Sequence, residues 1–289
     1  MRSPGASLDD RIRALRAELE ACEVPAPDVL YLLATGLGEL PDRLRAAVEL
    51  PLAELAGVPA PWDTRVLHAG ELGGAGAWLL EDAAGDPLEH EPREAWVRGL
   101  PAWLAAASGA ALCVHASAGS ALPGEVAARA PIGGFGLVRD HLNLSGRTPL
   151  LGLGASALGP LFPDQTRLHH LGLRRAALGR AAARGHAAAE VVAACTAGPA
   201  LETPAERRML AILGADVAVQ ALGWPLLAAA HAGLAVLSIV AITDAGEGEP
   251  DIPGLVEAAG RLQPAMEDLL SALEEDVCGA VAARRREAP

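Results

Sequence analysis

Short β-type runs alternating with longer helical patterns predict an α/β fold, a single domain in which a mixed, twisted sheet is flanked by helices. Two further observations point the same way. Hydrophobic residues make up 51% of the 289 and charged residues 20%, a balance that fills a large core and does not describe a disordered chain. No linker divides the sequence, and α/β folds of this length commonly close around one core, so residues 1–289 are expected to form one unit. Aromatics are only 3%, which leaves Leu, Val, Ile and Ala to fill that core.

The expected strands are Val29 to Ala34, Arg65 to Glu71, Ala77 to Glu81, Ala111 to Ala116, Gly136 to Asp140, Val191 to Thr196, Asp216 to Gln220 and Leu234 to Thr243. Helical periodicity covers Pro41 to Glu49, Arg93 to Ala107, Thr166 to Arg184, Thr203 to Leu213 and Pro225 to Ala232. A long amphipathic helix with an early break, Ile252 to Arg284, ends the pattern. Thr203-Pro204-Ala205-Glu206 combines a capping hydroxyl, a proline at the first helical position and a carboxylate that reaches back, and Gly214 stops that helix. Gly152 to Gly159, rich in Gly, Ala and Ser, reads as a loop.

All 23 basic residues are Arg, and the net charge is −13. Such a charge, with no dense basic stretch, argues against nucleic acid and anionic membranes as partners. Cys22, Cys113, Cys195 and Cys278 are widely spaced with no CxxC pair, and two lie in apolar runs suited to a buried free thiol, as in a reducing compartment. Leu8 to Leu19 is a charged amphipathic pattern, not an export signal, and no run of about 18 apolar residues occurs, so a soluble, cytoplasmic protein is expected.

Two small-residue turns are expected after strands, Ala34-Thr35-Gly36-Leu37-Gly38 and His115-Ala116-Ser117-Ala118-Gly119-Ser120. Such turns let backbone N–H groups and a hydroxyl approach an anion, although an ordinary tight βα turn looks the same. Glu202 and Asp244 each follow an apolar strand, where two carboxylates can face one cleft and share proton-transfer and heterocycle-binding duties; solvated loop acids are the equal alternative. His141 sits in an Arg-Asp-rich turn, where a catalytic role is one reading and structural satisfaction by its neighbours the more common one. His169 and His170, on a helical stretch, point about 100° apart and have no nearby third ligand, so they read as surface or interface residues and no metal is expected. Arg284 to Arg286 read as a solvated helix end favourable to the dipole.

Beyond these local signals, Ala34-Thr35-Gly36-Leu37-Gly38, Ala116-Ser117-Ala118-Gly119, Leu137 to Gly146, Phe162-Pro163-Asp164, Ala197 to Glu206, Gly214-Ala215-Asp216 and Ile242-Thr243-Asp244 occur in one order. In that order they resemble the trimeric purine nucleoside phosphorylases, which include the methylthioadenosine phosphorylases. The resemblance implies phosphorolysis of a purine nucleoside to free base and ribose 1-phosphate, in a homotrimer whose neighbour contributes an aromatic to the site, with Leu158 at the corresponding place. It implies no cofactor, inorganic phosphate being the co-substrate. Glu202 would bind the pyrimidine edge of the purine and Asp244 its N7 and C6 substituent, with Leu201 and Ala118 also on the base. Thr35 and Ser117 would hold phosphate, and Gln220 would lie under the sugar. Asp at position 244, where members preferring 6-oxopurines carry Asn, leans towards a 6-aminopurine, because an ionised carboxylate accepts from an amine.

The chain departs from the family pattern around phosphate and sugar. Glu81 to His90 lacks the Arg and His two residues apart that the family supplies there, unless His90, Arg93 or Arg65 substitutes. Gln220-Ala221 replaces a Met-Ser pair, Leu201 replaces an aromatic, and no His lies between Gly246 and Leu262. A degraded phosphate site is therefore expected. An enzyme using water in place of phosphate, and a non-catalytic purine-binding or oligomer-partner relative, remain open beside phosphorolysis.

Overall fold

The structure, a computed structural model, describes residues 6–34, 36–82, 94–220, 222–245 and 252–287. Val29–Leu33 (β1) is an uninterrupted apolar run buried at all five positions, the pattern of a strand covered on both faces. It pairs in parallel with Ala75–Glu81 (β4) on one side and Leu112–Ala121 (β5) on the other. Beyond β4 come Val66–Leu72 (β3) and the edge strand Arg45–Pro51 (β2), both antiparallel. On the far side of β5 lie Val217–Val219 (β8), Ala188–Cys195 (β7), Phe135–Asn143 (β6) and Ala235–Ala245 (β9), and β9 returns to pair with β5. Strands β5, β8, β7, β6 and β9 thus close a ring, and β1 to β4 extend from it as an open sheet.

Helices cover both faces. Leu30 and Leu32 point towards a core shared with Leu8–Ala21 (α1), Leu100–Ala107 (α2) and Gly223–His231 (α5). Val29, Tyr31 and Leu33 point the other way, into a core shared with Leu171–Ala183 (α3), Ile252–Ala272 (α6) and Glu274–Glu287 (α7). Pro204–Ile212 (α4) packs Leu210 against Leu122, Ala194 and Ala218. Cys113 and Cys195 are enclosed, and burial pushes both thiols up to about 12. No described helix is long and apolar enough to cross a membrane.

Several expectations are corrected. Pro41 to Glu49 is not a helix: a 3-10 turn over Pro41–Arg43 leads into β2, whose ladder to β3 and ion pair Arg45 to Glu71 outweigh local periodicity. Arg93 lies outside the described residues, and the helix expected there begins as a 3-10 turn, Ala95–Gly99, before α2. Thr166 to Leu168 are not helical, because His170 caps α3 by accepting from the Leu173 N–H at 3.1 Å. The break in the last helix falls late, at Leu273. Arg284 and Arg285 are not simply solvated: the first donates to the Gly233 carbonyl at 2.7 Å and the second pairs with Asp28.

The correction that matters for the site concerns β5. The run Ser117 to Ser120, read as a turn, continues the strand for five residues past the end of β1. Its register against β9 shifts between Gly119 and Ser120, and Ser120 and Ala121 then pair with β8. Gly119 permits this approach, since a Cβ there would meet the Ala218 carbonyl and a Val240 methyl, both at 2.7 Å. Gly119→Ala should destabilise the ring by about 1–3 kcal/mol through overpacking. A thermal melt should show the midpoint falling by several degrees; an unchanged midpoint would mean the ring tolerates a wider spacing.

Candidate active site

In the ring β5 and β9 run opposite to β6, β7 and β8, and the ends of β5, β7, β8 and β9, with the start of α4, carry most of the acids and small residues singled out above. After β7, the Thr196 N–H donates to the Val219 carbonyl at 3.1 Å, tying the β7 exit to the end of β8. Glu202 follows six residues later at the foot of α4. Its side chain is 8% exposed, and the Thr196 hydroxyl donates to Oε1 at 2.7 Å. The expected capping box is present: the Glu206 N–H donates to Thr203 Oγ1 at 3.2 Å, and Thr203 N–H donates to Glu206 Oε2 at 2.8 Å. Glu202 therefore precedes a firmly started helix.

Asp244 lies within β9, not after it, opposite Ser120 of β5. Its Oδ2 is 2.5 Å from Nη2 of Arg207, which is 1% exposed on α4. Oδ2 is enclosed while the side chain as a whole keeps 21% of its surface, so the open part of Asp244 is turned away from Arg207. With Thr203 as cap, Glu202 and Arg207 occupy N′ and N4, positions that face each other across a helix start and usually hold an apolar contact. Here a carboxylate and a guanidinium occupy them. Leu201 and Ala118 are half-buried, and Gln220 Nε2 donates to the Ala200 carbonyl at 3.0 Å, bracing the segment that carries Leu201 and Glu202.

At the neighbouring strand ends, the Ala34 N–H donates to the Ala116 carbonyl at 2.8 Å, which brings the chain just before Thr35 beside Ala116 and Ser117. Thr35 itself lies outside the described residues, as do Ala221, residues 83–93 and the Gly246–Pro250 stretch. Ser117 is buried, and its Oγ has no hydrogen-bond partner among the described residues. Asp82 does not project from the β4 end: its Oδ2 lies 3.3 Å from His115 Nε2, with both side chains fully enclosed.

A second cluster lies at β6 and the start of α3. His141 is on the strand, not in a turn, and its Nδ1 is 3.1 Å from Nε2 of His169. His169 is buried, not on the surface, because its segment forms a β-bridge to Val236 and the His170 N–H donates to the Val236 carbonyl at 2.8 Å. Arg139, Asp140, Gln165 and Arg174 join the two histidines around a cleft of about 550 Å³. Desolvation, then the neighbouring His141, lowers His169 to about 4, and His141 is also lowered, chiefly by burial.

Comparison with known proteins identifies the family. The profile of the Phosphorylase superfamily matches residues 37–274. Purine nucleoside phosphorylase 1 of Geobacillus stearothermophilus is 30% identical over 235 residues, covering 79% of this chain and 82% of the relative. The purine nucleoside phosphorylase of Mycobacterium tuberculosis is 35% identical over 216 residues, 73% of this chain and 74% of the relative. The chain belongs to the purine nucleoside phosphorylase family. Members of that family are enzymes, pentosyltransferases. In fold, the chain matches the Schistosoma purine nucleoside phosphorylase solved with hypoxanthine at a TM-score of 0.81, with 20% identity, covering 94% of this chain and 99% of that one.

Sequence reasoning missed Arg207, although an arginine four residues past a helix cap on an otherwise apolar face is a usable signal. The stretch expected to face a neighbouring subunit carries both Leu158 and Phe162. Leu158 is half-buried against the first core, whereas Phe162, at the end of the same stretch, is 87% exposed. That loop is tied down by Asp9 of α1, which accepts from Ser156 Oγ at 2.5 Å and from the Ala157 N–H at 2.8 Å.

The histidine pair carries a pH signature. A histidine held neutral in the fold contributes stability that is complete above its unfolded value of 6.5 and is lost as pH falls towards about 4. Thermal midpoints should therefore drop more steeply across that window for the wild type than for His169→Gln. Parallel pH profiles for the two proteins would show that His169 does not titrate there.

Proposed function

We propose that the chain is a purine nucleoside phosphorylase acting on 6-aminopurine nucleosides, with a weakened phosphate site. In the reaction, the C1′–N9 bond breaks, its electron pair moves onto the purine, a hydrogen phosphate oxygen bonds to C1′, and the proton that the phosphate gives up ends on the purine, giving free base and ribose 1-phosphate. The observation that carries this reading is that two carboxylates meet the start of α4, each held through a single oxygen: Glu202, just before the helix, through Thr196, and Asp244 through Arg207 of the helix. A tethered acid meets the leaving purine without reorganising, which is how preorganised polar groups lower a barrier.

In this reading Glu202 takes the pyrimidine edge, Asp244 the 6-amino group, and Leu201 and Ala118 the faces of the base. Gln220 lies towards the sugar, and Thr35 and Ser117 hold phosphate. No cofactor is needed, since phosphate itself is the second substrate. The phosphate side is the weaker half because the family's Arg and His are not matched between Glu81 and His90. Charge-assisted hydrogen bonds contribute about 1.5–3 kcal/mol each, so losing two or three raises the phosphate concentration needed.

The decisive assay incubates the protein with adenosine, inosine, guanosine and methylthioadenosine, with and without phosphate, and follows free base. Release from the 6-amino substrates that depends on phosphate, with a high KM for it, is the expected result. Equal release without phosphate would replace phosphorolysis with hydrolysis, and no release at all would make this a non-catalytic purine-binding relative.

The same proposal includes a homotrimer, in a cytoplasmic setting that suits the enclosed free thiols of Cys113 and Cys195. Leu151, Leu161 and Phe162 support it: three large apolar side chains on one loop are exposed in the single chain, and Phe162 is the aromatic available to a neighbour's site. Phe162→Ala should raise the nucleoside KM severalfold while leaving the fold intact by circular dichroism. A monomeric mass by light scattering, together with an unchanged KM, would remove the shared-site proposal.

A further inference from the structure

We propose that Arg207 is the positioning residue that makes this site discriminate 6-amino from 6-oxo purines, acting through Asp244; the inference rests on the base-binding role given to Asp244 above. Arg207 is among the largest fully enclosed side chains of the molecule, and its Nη2 contacts Asp244 Oδ2 at 2.5 Å. Taking two charges out of water is costly, and an apolar pair of similar volume commonly stabilises a core as well or better. The pair's location suggests a reason for keeping it. It stands on the rim where β9, β5 and α4 meet, with one carboxylate oxygen enclosed against the guanidinium and the open side of Asp244 turned away from it.

The chemistry follows from the inventory of donors and acceptors. A carboxylate in a close ion pair with a guanidinium serves as an acceptor, and the Arg207–Asp244 contact, an ion pair at 2.5 Å without hydrogen-bond geometry, holds Oδ2 on the enclosed side and leaves the rest of the carboxylate to face a ligand. An exocyclic 6-amino group donates into such an oxygen. A 6-oxo group brings a lone pair against it, and no proton lies between them. Arg207 does not need to touch the base: it removes the rotational freedom with which Asp244 could turn away from an unfavourable substituent, and it supplies the positive charge that lets an acid remain enclosed at this point. The capping box of Thr203 and Glu206 fixes the start of α4, and Arg207 sits one helical turn further on, so its reach to β9 is set by the helix start.

The test measures the ratio of adenine to hypoxanthine affinity by calorimetry, and the ratio of adenosine to inosine kcat/KM where turnover is present. Four variants are compared: Arg207→Lys, Arg207→Met, Asp244→Asn, and the doubly neutral Arg207→Met with Asp244→Asn. Lysine keeps the charge but loses the planar grip, so the adenine preference should fall partway. Methionine removes the charge as well and should reduce the preference further, by roughly tenfold or more. The double variant removes both charges and keeps the protein foldable if Arg207→Met alone fails. It should favour hypoxanthine over adenine as strongly as Asp244→Asn does, because without a carboxylate Arg207 has nothing to orient.

An adenine-to-hypoxanthine ratio unchanged in folded Arg207→Lys and Arg207→Met overturns the proposal, as does a wild-type protein that binds neither base. Wild-type protein that binds adenine selectively but releases no base from any nucleoside would end the phosphorylase reading and leave the role of Arg207 standing.

Discussion

The site depends on one strand having more length than its first neighbour can pair. β1 ends at Leu33, whereas β5 runs on to Ala121. Backbone groups enclosed beyond that point must find partners elsewhere, because an unpaired buried N–H or carbonyl is expensive. β9 satisfies one edge of β5 throughout, and β8 satisfies the other at Ser120 and Ala121. That second pairing turns an open sheet into a ring and works only where side chains are small, which is why Ala118, Gly119 and Ser120 follow one another. Once the ring closes, Asp244 is opposite Ser120, the β7 exit is tied to β8, and α4 hangs between them.

The polar groups on this rim are held in unequal ways. Glu202 accepts from a neutral hydroxyl, whereas Asp244 faces a full positive charge. A hydroxyl stabilises a carboxylate modestly through a directed hydrogen bond, while the guanidinium beside Asp244 acts through its charge. Two acids with the same headgroup are therefore distinct tools, one able to adapt to a ligand's edge and one set before the ligand arrives. Gln220 adds a third kind of support, bracing a backbone carbonyl of the segment that carries Glu202.

Much of this was legible in the sequence where signals are local. Strand runs such as Val29 to Ala34 and the capping box at Thr203 are written in adjacent residues, and the order of the family motifs carried the fold. What escaped depends on partners far away in the chain. Nothing within Pro41 to Glu49 announces that β3 will pair with Arg45–Pro51, and nothing around Ser117 announces that β8 will take up the end of β5. His141 and His169, 28 residues apart, read as unrelated until β6 and the bridge to Val236 bring their rings within 3.1 Å. Arg207 escaped for the same reason, since its partner lies on a strand 37 residues later (Asp244 minus Arg207).

The phosphate half shows how linear charge misleads. Glu81-Asp82 reads as a pair of acids that would repel an incoming dianion. Alternation along β4 places Trp78 and Leu80 in the first core, and Asp82 continues on that same face, where its carboxylate meets His115 with no exposure to solvent. Glu81 alone is exposed. The Asp82 carboxylate, 3.3 Å from the imidazole of His115 and enclosed with it, lies on the core side of the strand and not on a surface that an incoming anion would meet. Which of these acids an approaching anion meets is therefore set by the face of the strand each one occupies, not by their number in the segment.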